Sequence, residues 1–283
     1  MTDSPSYVDT ATQTVTAENG IAYAYRRVGA GPGLPLVLAQ HFRGNLDNWD
    51  PALIDALAVG RSVITFDNVG VGATGGTTPS TATQMAHDAL AFVSALDLTH
   101  IDLLGYSLGS FVAQEIALVR PDLVRRLVLA AAAPQGAPDM HGWVSDVIEA
   151  VGSPQTKPEG LLHVFFKQTP TSQQAGMQFL GRFTQRKTDR DAQTSWQARN
   201  AQYDAVTQWG VPNHALLERL AGITAPTFVA NGDDDRMIRP RYSHLLAGLL
   251  PDARVKIYDD AAHGFLFQHH AEFSADVLAF LGT

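Results

Sequence analysis

The chain has 283 residues, 45% of them hydrophobic, a net charge of −8 and no cysteine. That length and apolar content suit one large α/β domain, or a core domain with an insertion. An acidic chain without a Lys/Arg block argues against nucleic acid or an anionic membrane surface as partner, and the missing cysteines remove disulfides, thiolate metal sites and a cysteine nucleophile.

The first twenty residues are polar and lack the basic and apolar regions of a secretory leader. No apolar run approaches the length that spans a bilayer, so a cytoplasmic protein is expected. Residues 12–27 alternate apolar and polar around Glu18-Asn19-Gly20 and predict a β-hairpin. Short, nearly continuous apolar runs follow at 34–40, 61–67, 101–106, 126–133, 226–232 and 253–259. Continuous rather than alternating runs are what strands buried on both faces require. Helical patterns at 51–58, 80–96, 108–119, 240–250 and 270–281 lie between or after them. Such alternation predicts a mostly parallel sheet with helices on both faces.

The alternation stops between about 135 and 213. That segment carries Trp143, Phe165, Phe166, Phe179, Phe183, Trp196 and Trp209 but no strand pattern. A structureless loop of that length does not fit a compact domain, so the expectation is a helical cap at 135–213 on a core of 1–134 and 214–283.

Chemistry first shows at Gly105-Tyr106-Ser107-Leu108-Gly109, a G-x-S-x-G pattern between a strand run and a helical run. A serine on so sharp a turn needs small neighbours for close packing, and the next helix aims its first amides, beginning with Leu108, beside the hydroxyl. The competing reading is a glycine-rich turn with an incidental serine. Deciding between them needs a base and a group to orient it, because a lone hydroxyl is a poor nucleophile.

Of the ten histidines, His263 lies just past the last strand run, at the sheet edge where Ser107 also falls. It is the expected base. His87, His100, His141, His163, His214, His244, His269 and His270 read as surface or packing residues. The acid should follow an earlier strand on the same edge, and PTFVANG runs into Asp233-Asp234-Asp235. Only one of three successive carboxylates can face the imidazole; the others read as solvated groups or caps for the helix near Pro240. Asp259 and Asp260 read as turn residues. The order Ser, Asp, His differs from the chymotrypsin and subtilisin orders.

With GYSLG, GDDDRMIRP, AAHGF and FDNVGVGAT in this order, the chain resembles the α/β-hydrolase superfamily over nearly its whole length. The resemblance implies a sheet of about eight strands, a Ser–His–Asp triad and no metal or organic cofactor. The family's G-x-x-D pattern selects Asp235. One departure stands out: where the family usually has H-G-x-P, this chain has Gln40-His41-Phe42-Arg43. By resemblance, the amides of Phe42 and Leu108 form the oxyanion hole. His41 and Arg43 then either brace the loop, for example against Asp67 or Asp47, or touch the substrate. Tyr106, Trp143 and Trp209 are further candidate substrate contacts.

A serine nucleophile argues against epoxide hydrolases and haloalkane dehalogenases, which use aspartate there. Leu108 in place of the tryptophan typical of proline iminopeptidase-like members makes a peptidase a weaker expectation. The leading expectation is therefore an esterase or lactonase acting on a small-molecule substrate. Perhydrolase or haloperoxidase-like chemistry, thioester cleavage and C–C bond hydrolysis are alternative uses of the same triad. A small-ligand receptor with vestigial turnover is a reading from another class.

Overall fold

The computed structural model describes residues 6–140 and 142–282. From the N-terminal side come β1 (Gln13–Thr16), β2 (Ala22–Val28), β3 (Leu36–Ala39), α1 (Pro51–Leu57), β4 (Val63–Phe66), α2 (Ala82–Ala95), β5 (Ile101–Tyr106), α3 (Leu108–Val119) and β6 (Val124–Ala130). The helices α4 (Ser145–Gly152), α5 (Pro158–Phe165), α6 (Pro170–Phe183), α7 (Trp196–Trp209) and α8 (His214–Glu218) follow. The chain closes with β7 (Thr227–Gly232), α9 (Arg241–Leu249), β8 (Ala253–Tyr258), α10 (Phe265–Gln268) and α11 (His270–Leu281).

The strands make one eight-stranded sheet in the order β1-β2-β4-β3-β5-β6-β7-β8. β2 pairs antiparallel with both β1 and β4, and every later pairing is parallel. β3, β4 and β5 are buried at every position, which is why their runs read as continuously apolar. α1, α3 and α11 contribute apolar faces to the same core through residues such as Leu53, Ile116 and Val277. The expected mostly parallel α/β sheet is thus the fold.

Between β6 and β7 the described residues contain helices α4 to α8 and no strand, and α4 to α7 fall within 135–213. Three are started by residues the sequence makes plain: Pro at the first turn of α5 and α6, and the Thr169 and Ser195 hydroxyls capping α6 and α7. The short α10 was hidden, because its four residues sit inside what reads as the histidine loop. His141 lies outside the described residues.

Arginines of this helical segment hold it to the start of α1 and to the stretch before β1. Arg182 on α6 grips the buried Asp50 carboxylate at 2.7 and 2.9 Å. The Arg186 guanidinium donates to the carbonyls of Val8 and Thr10, both at 2.8 Å.

Candidate active site

The turn from β5 into α3 gives Ser107 φ 55° and ψ −120°, a backbone conformation that L-residues rarely adopt. It persists because its surroundings hold it. The Ser107 N–H donates to Ala130 O at 2.9 Å, and the Ser107 carbonyl accepts both the N–H and the hydroxyl of Ser110. The flanking glycines are needed for space. A Cβ on Gly105 would lie 2.3 Å from Gly109 O, and one on Gly109 would lie 2.1 Å from Ala39 O.

Ser107 Oγ is 2.8 Å from His263 Nε2, and His263 Nδ1 is 2.7 Å from Asp235 Oδ2. All three residues are buried. The carboxylate can only accept, so Nδ1 carries the imidazole proton and Nε2 is left to receive the serine hydroxyl. The other Asp235 oxygen accepts the amides of Met237 and Ile238 at 2.8 and 2.9 Å, which fixes the carboxylate plane.

Of the neighbouring aspartates, Asp234 is exposed. Asp233 does not cap the following helix. Instead it accepts from Ala261 N–H at 3.0 Å and from Lys167 Nζ at 3.0 Å, joining the histidine loop to the helical segment. Gly264 follows His263 in the same loop. Its φ is an ordinary −86°, but a Cβ there would sit 2.6 Å from Phe165 Cβ. It is needed so that Phe165 can approach.

The loop after β3 brings Phe42 to the mouth of the site. Among the described residues, no hydrogen bond uses the amide N–H of Phe42 or of Leu108. His41 donates from Nδ1 to Phe42 O at 2.8 Å, and Arg43 sits at φ 63°. Neither braces the loop against Asp67 or Asp47, as the sequence had suggested. Asp67 is occupied by the amides of Leu46 and Ala73, and burial raises its pKa well above the usual carboxylate range. Asp47 is paired with Arg26 at 2.8 Å. Arg43 reaches the other way: its guanidinium donates to the carbonyls of Val151, Ser153 and Pro154 at 2.7 to 3.2 Å. Its backbone is held too, by the Gln202 side chain at 2.6 Å and the Thr194 hydroxyl at 2.7 Å.

A cavity of about 310 Å³ opens onto Ser107 and His263, within the size range of small-ligand sites. His41, Phe42 and Arg43 line it. Its apolar lining includes Val151, Leu161, Phe165, Phe183 and Met237, and its polar lining includes Asn45, Asn48, Arg190 and Asp191.

Three expected substrate contacts lie elsewhere. Tyr106 is fully buried beneath the site, and its hydroxyl donates to His263 O at 3.0 Å. Trp209 stacks on Phe111 at 4.8 Å and donates to Ala133 O. Trp143 packs edge-on against Phe42 at 5.4 Å, behind the cavity wall. With Phe42 and Phe183, Phe165 is one of the aromatic rings that do line the cavity, within 5.5 Å of His41 and 5.9 Å of His263 between ring centres. Its spacing from Leu161, i and i+4 on α5, places both on one helix face, and that signal was present in the sequence.

The alpha/beta hydrolase fold family model matches residues 32–270. An alpha/beta hydrolase fold protein from Chitinophaga pinensis superimposes with a TM-score of 0.92 at 39% identity, over 99% of this chain and 100% of that one. The non-heme chloroperoxidase of Streptomyces lividans is 28% identical over 95% of this chain and 99% of its own length. The poly(3-hydroxyalkanoate) depolymerase of Ectopseudomonas oleovorans is 27% identical over 95% of this chain and 92% of its own.

Proposed function

Since the chain belongs to the α/β-hydrolase family, we propose that this hydrolase cleaves small to medium carboxylic esters or lactones through Ser107, His263 and Asp235. The observation that carries the reading is the unbroken chain of hydrogen bonds, 2.8 and 2.7 Å long, from Ser107 Oγ through His263 to Asp235. Ser107 Oγ attacks the carbonyl carbon while His263 Nε2 takes its proton, and Asp235 holds the tautomer and stabilises the imidazolium. The amides of Phe42 and Leu108 receive the oxyanion; losing one such donor typically costs about 3 kcal/mol in the barrier. His263 then protonates the leaving alcohol. Water, deprotonated by His263, attacks the acyl-enzyme and releases the acid.

Residues 135–213 act as a cap that closes the cavity, on a core of 1–134 and 214–283. The apolar lining supports an acyl or alkyl group of modest size in the cavity. A second reading is perhydrolysis, in which hydrogen peroxide replaces water in the attack on the acyl-enzyme and a peracid leaves. The similarity to a non-heme chloroperoxidase favours it.

Labelling with a fluorophosphonate, followed by a panel of aryl esters and lactones with and without peroxide, tests both readings. Wild-type protein should label and turn over esters, and Ser107→Ala should do neither. Equal labelling of the alanine variant would remove Ser107 from its role.

A further inference from the structure

The cavity that opens on Ser107 changes character along its length. Beside the triad it is apolar. Phe165 lies 5.9 Å from His263 between ring centres, and the rings continue from Phe165 to Phe179 at 6.3 Å and from Phe179 to Phe183 at 5.4 Å. That row leads along α6 to its C-terminal end, where Phe183 and Thr184 line the cavity. The loop after β3 also leads away from the triad. It runs beside the segment before α7, and three contacts pair the two in reverse order. The Thr194 hydroxyl donates to Arg43 O at 2.7 Å, Asn45 Nδ2 to Ala192 O at 3.0 Å, and the Asp191 N–H to Asp47 Oδ2 at 2.7 Å. Each step is further from Phe42, and the residue beyond the last one is Arg190.

Arg190 stands where the cavity meets solvent: its side chain lines the cavity and is 35% exposed. Nη1 donates to Arg186 O at 3.3 Å, and Nη2 makes no hydrogen bond among the described residues. Its ion pair is loose, with Asp47 Oδ2 3.9 Å from Nε, and that carboxylate is already served by Arg26 at 2.8 Å and by the Asp191 amide. Asp191 is the other acid lining this end, and burial and the Asp47 charge raise its pKa, which favours its neutral form. Asn48 lines the same end. Its Oδ1 accepts from the Asn45 N–H at 2.8 Å, while its NH2 group has no partner among the described residues and keeps accessible surface. What this end has to spare is a guanidinium fork and an amide NH2. Both are donors, and a carboxylate is the group whose two oxygens match such a fork.

We propose that Arg190, assisted by Asn48, binds a carboxylate at the far end of the cavity, so that the preferred substrates are esters or lactones carrying a carboxylate separated from the scissile carbonyl by an apolar spacer. This rests on the hydrolase reading only for where the carbonyl sits.

The test compares the mono-4-nitrophenyl esters of hexanedioic, heptanedioic and octanedioic acids, each with the same compound methylated on its free carboxyl. The butanoate of 6-hydroxyhexanoic acid and its methyl ester place the carboxylate on the alcohol side instead. Relative to uncatalysed hydrolysis, wild-type protein should favour the free acid of at least one pair by about 5- to 10-fold in kcat/KM, between the worth of an exposed ion pair and that of a charged hydrogen bond. Arg190→Gln should abolish that preference, and Arg190→Lys should retain part of it. Asn48→Asp keeps an acceptor for the Asn45 N–H but adds a negative charge, and should reverse the preference. Added salt should shrink it in the wild type and change nothing in Arg190→Gln. No preference in either series, or one that survives Arg190→Gln, would overturn the proposal. Equal falls on both members of a pair would mean that Arg190 only shapes the wall, and the proposal would fail. Calorimetry on Ser107→Ala and on Ser107→Ala/Arg190→Gln with monoethyl and diethyl octanedioate separates the premises. Tighter binding of the monoester that disappears with Arg190 upholds the proposal even if no ester is turned over. Equal binding of the two by Ser107→Ala overturns it whatever the turnover.

Discussion

The loops after β5 and β3 lie against each other, and they are held in shape by opposite means. The elbow at Ser107 is shaped locally: its strained φ is enforced by strand β5, helix α3 and two glycines within two residues of the serine. The loop at His41–Arg43 is shaped from a distance. Its Arg43 backbone is gripped by Gln202 and Thr194, and its guanidinium by carbonyls between Val151 and Pro154. The two loops touch where Gly109 packs on Ala39 O and Gln40 O. A site half built by local sterics and half by long-range contacts can keep its serine elbow while changing its pocket.

The largest expected effect lies on the elbow side. Asp235→Asn should lower kcat by about 10⁴-fold by leaving His263 in the wrong tautomer. Asp233→Asn, which loses only loop contacts, should cost far less; similar losses in steady-state kinetics would show that the acid was misassigned. Next comes the junction. Gly109→Ala should destabilise the fold by about 3 kcal/mol or more in urea melts, since its Cβ has no room against Ala39 O. A variant as stable as wild type would mean that the loops are not in such close contact.

The third prediction concerns acid. The folded pKa of His41, about 4, lies below an ordinary 6.5, so the unfolded chain binds the proton first as pH falls. The neutral ring costs nothing above about pH 6.5, and stability is lost between there and about pH 4, by up to about 3 kcal/mol. His41→Gln should flatten that part of the stability–pH curve. An unchanged curve would show that the ring is not protected from protons. The smallest effect tests the distant grip: Arg43→Met should cost about 10- to 100-fold in kcat/KM, since hydrogen bonds from a charged group are worth about 1.5–3 kcal/mol. It should leave fluorophosphonate labelling of Ser107 detectable. Loss of all labelling would mean that the elbow depends on the β3 loop after all.

The sequence by itself determined the sheet, the helical insertion, and the Ser107, His263 and Asp233–Asp235 positions. Strand burial, glycine sterics and the strand-to-loop order are written in residues close together in the chain. Selecting Asp235 needed the family pattern, and the structure places that carboxylate against His263. What only the tertiary structure decided is the cavity wall. Trp143 and Trp209 looked like contacts because they are large and apolar, yet they pack behind the wall, while Phe165 and Leu161 form it. Size and hydropathy cannot say which way a ring points. Arg43 likewise finds its partners more than a hundred residues away. His41 stands between the two cases: its departure from the family pattern was visible, but its free nitrogen depends on which atoms the fold leaves within reach.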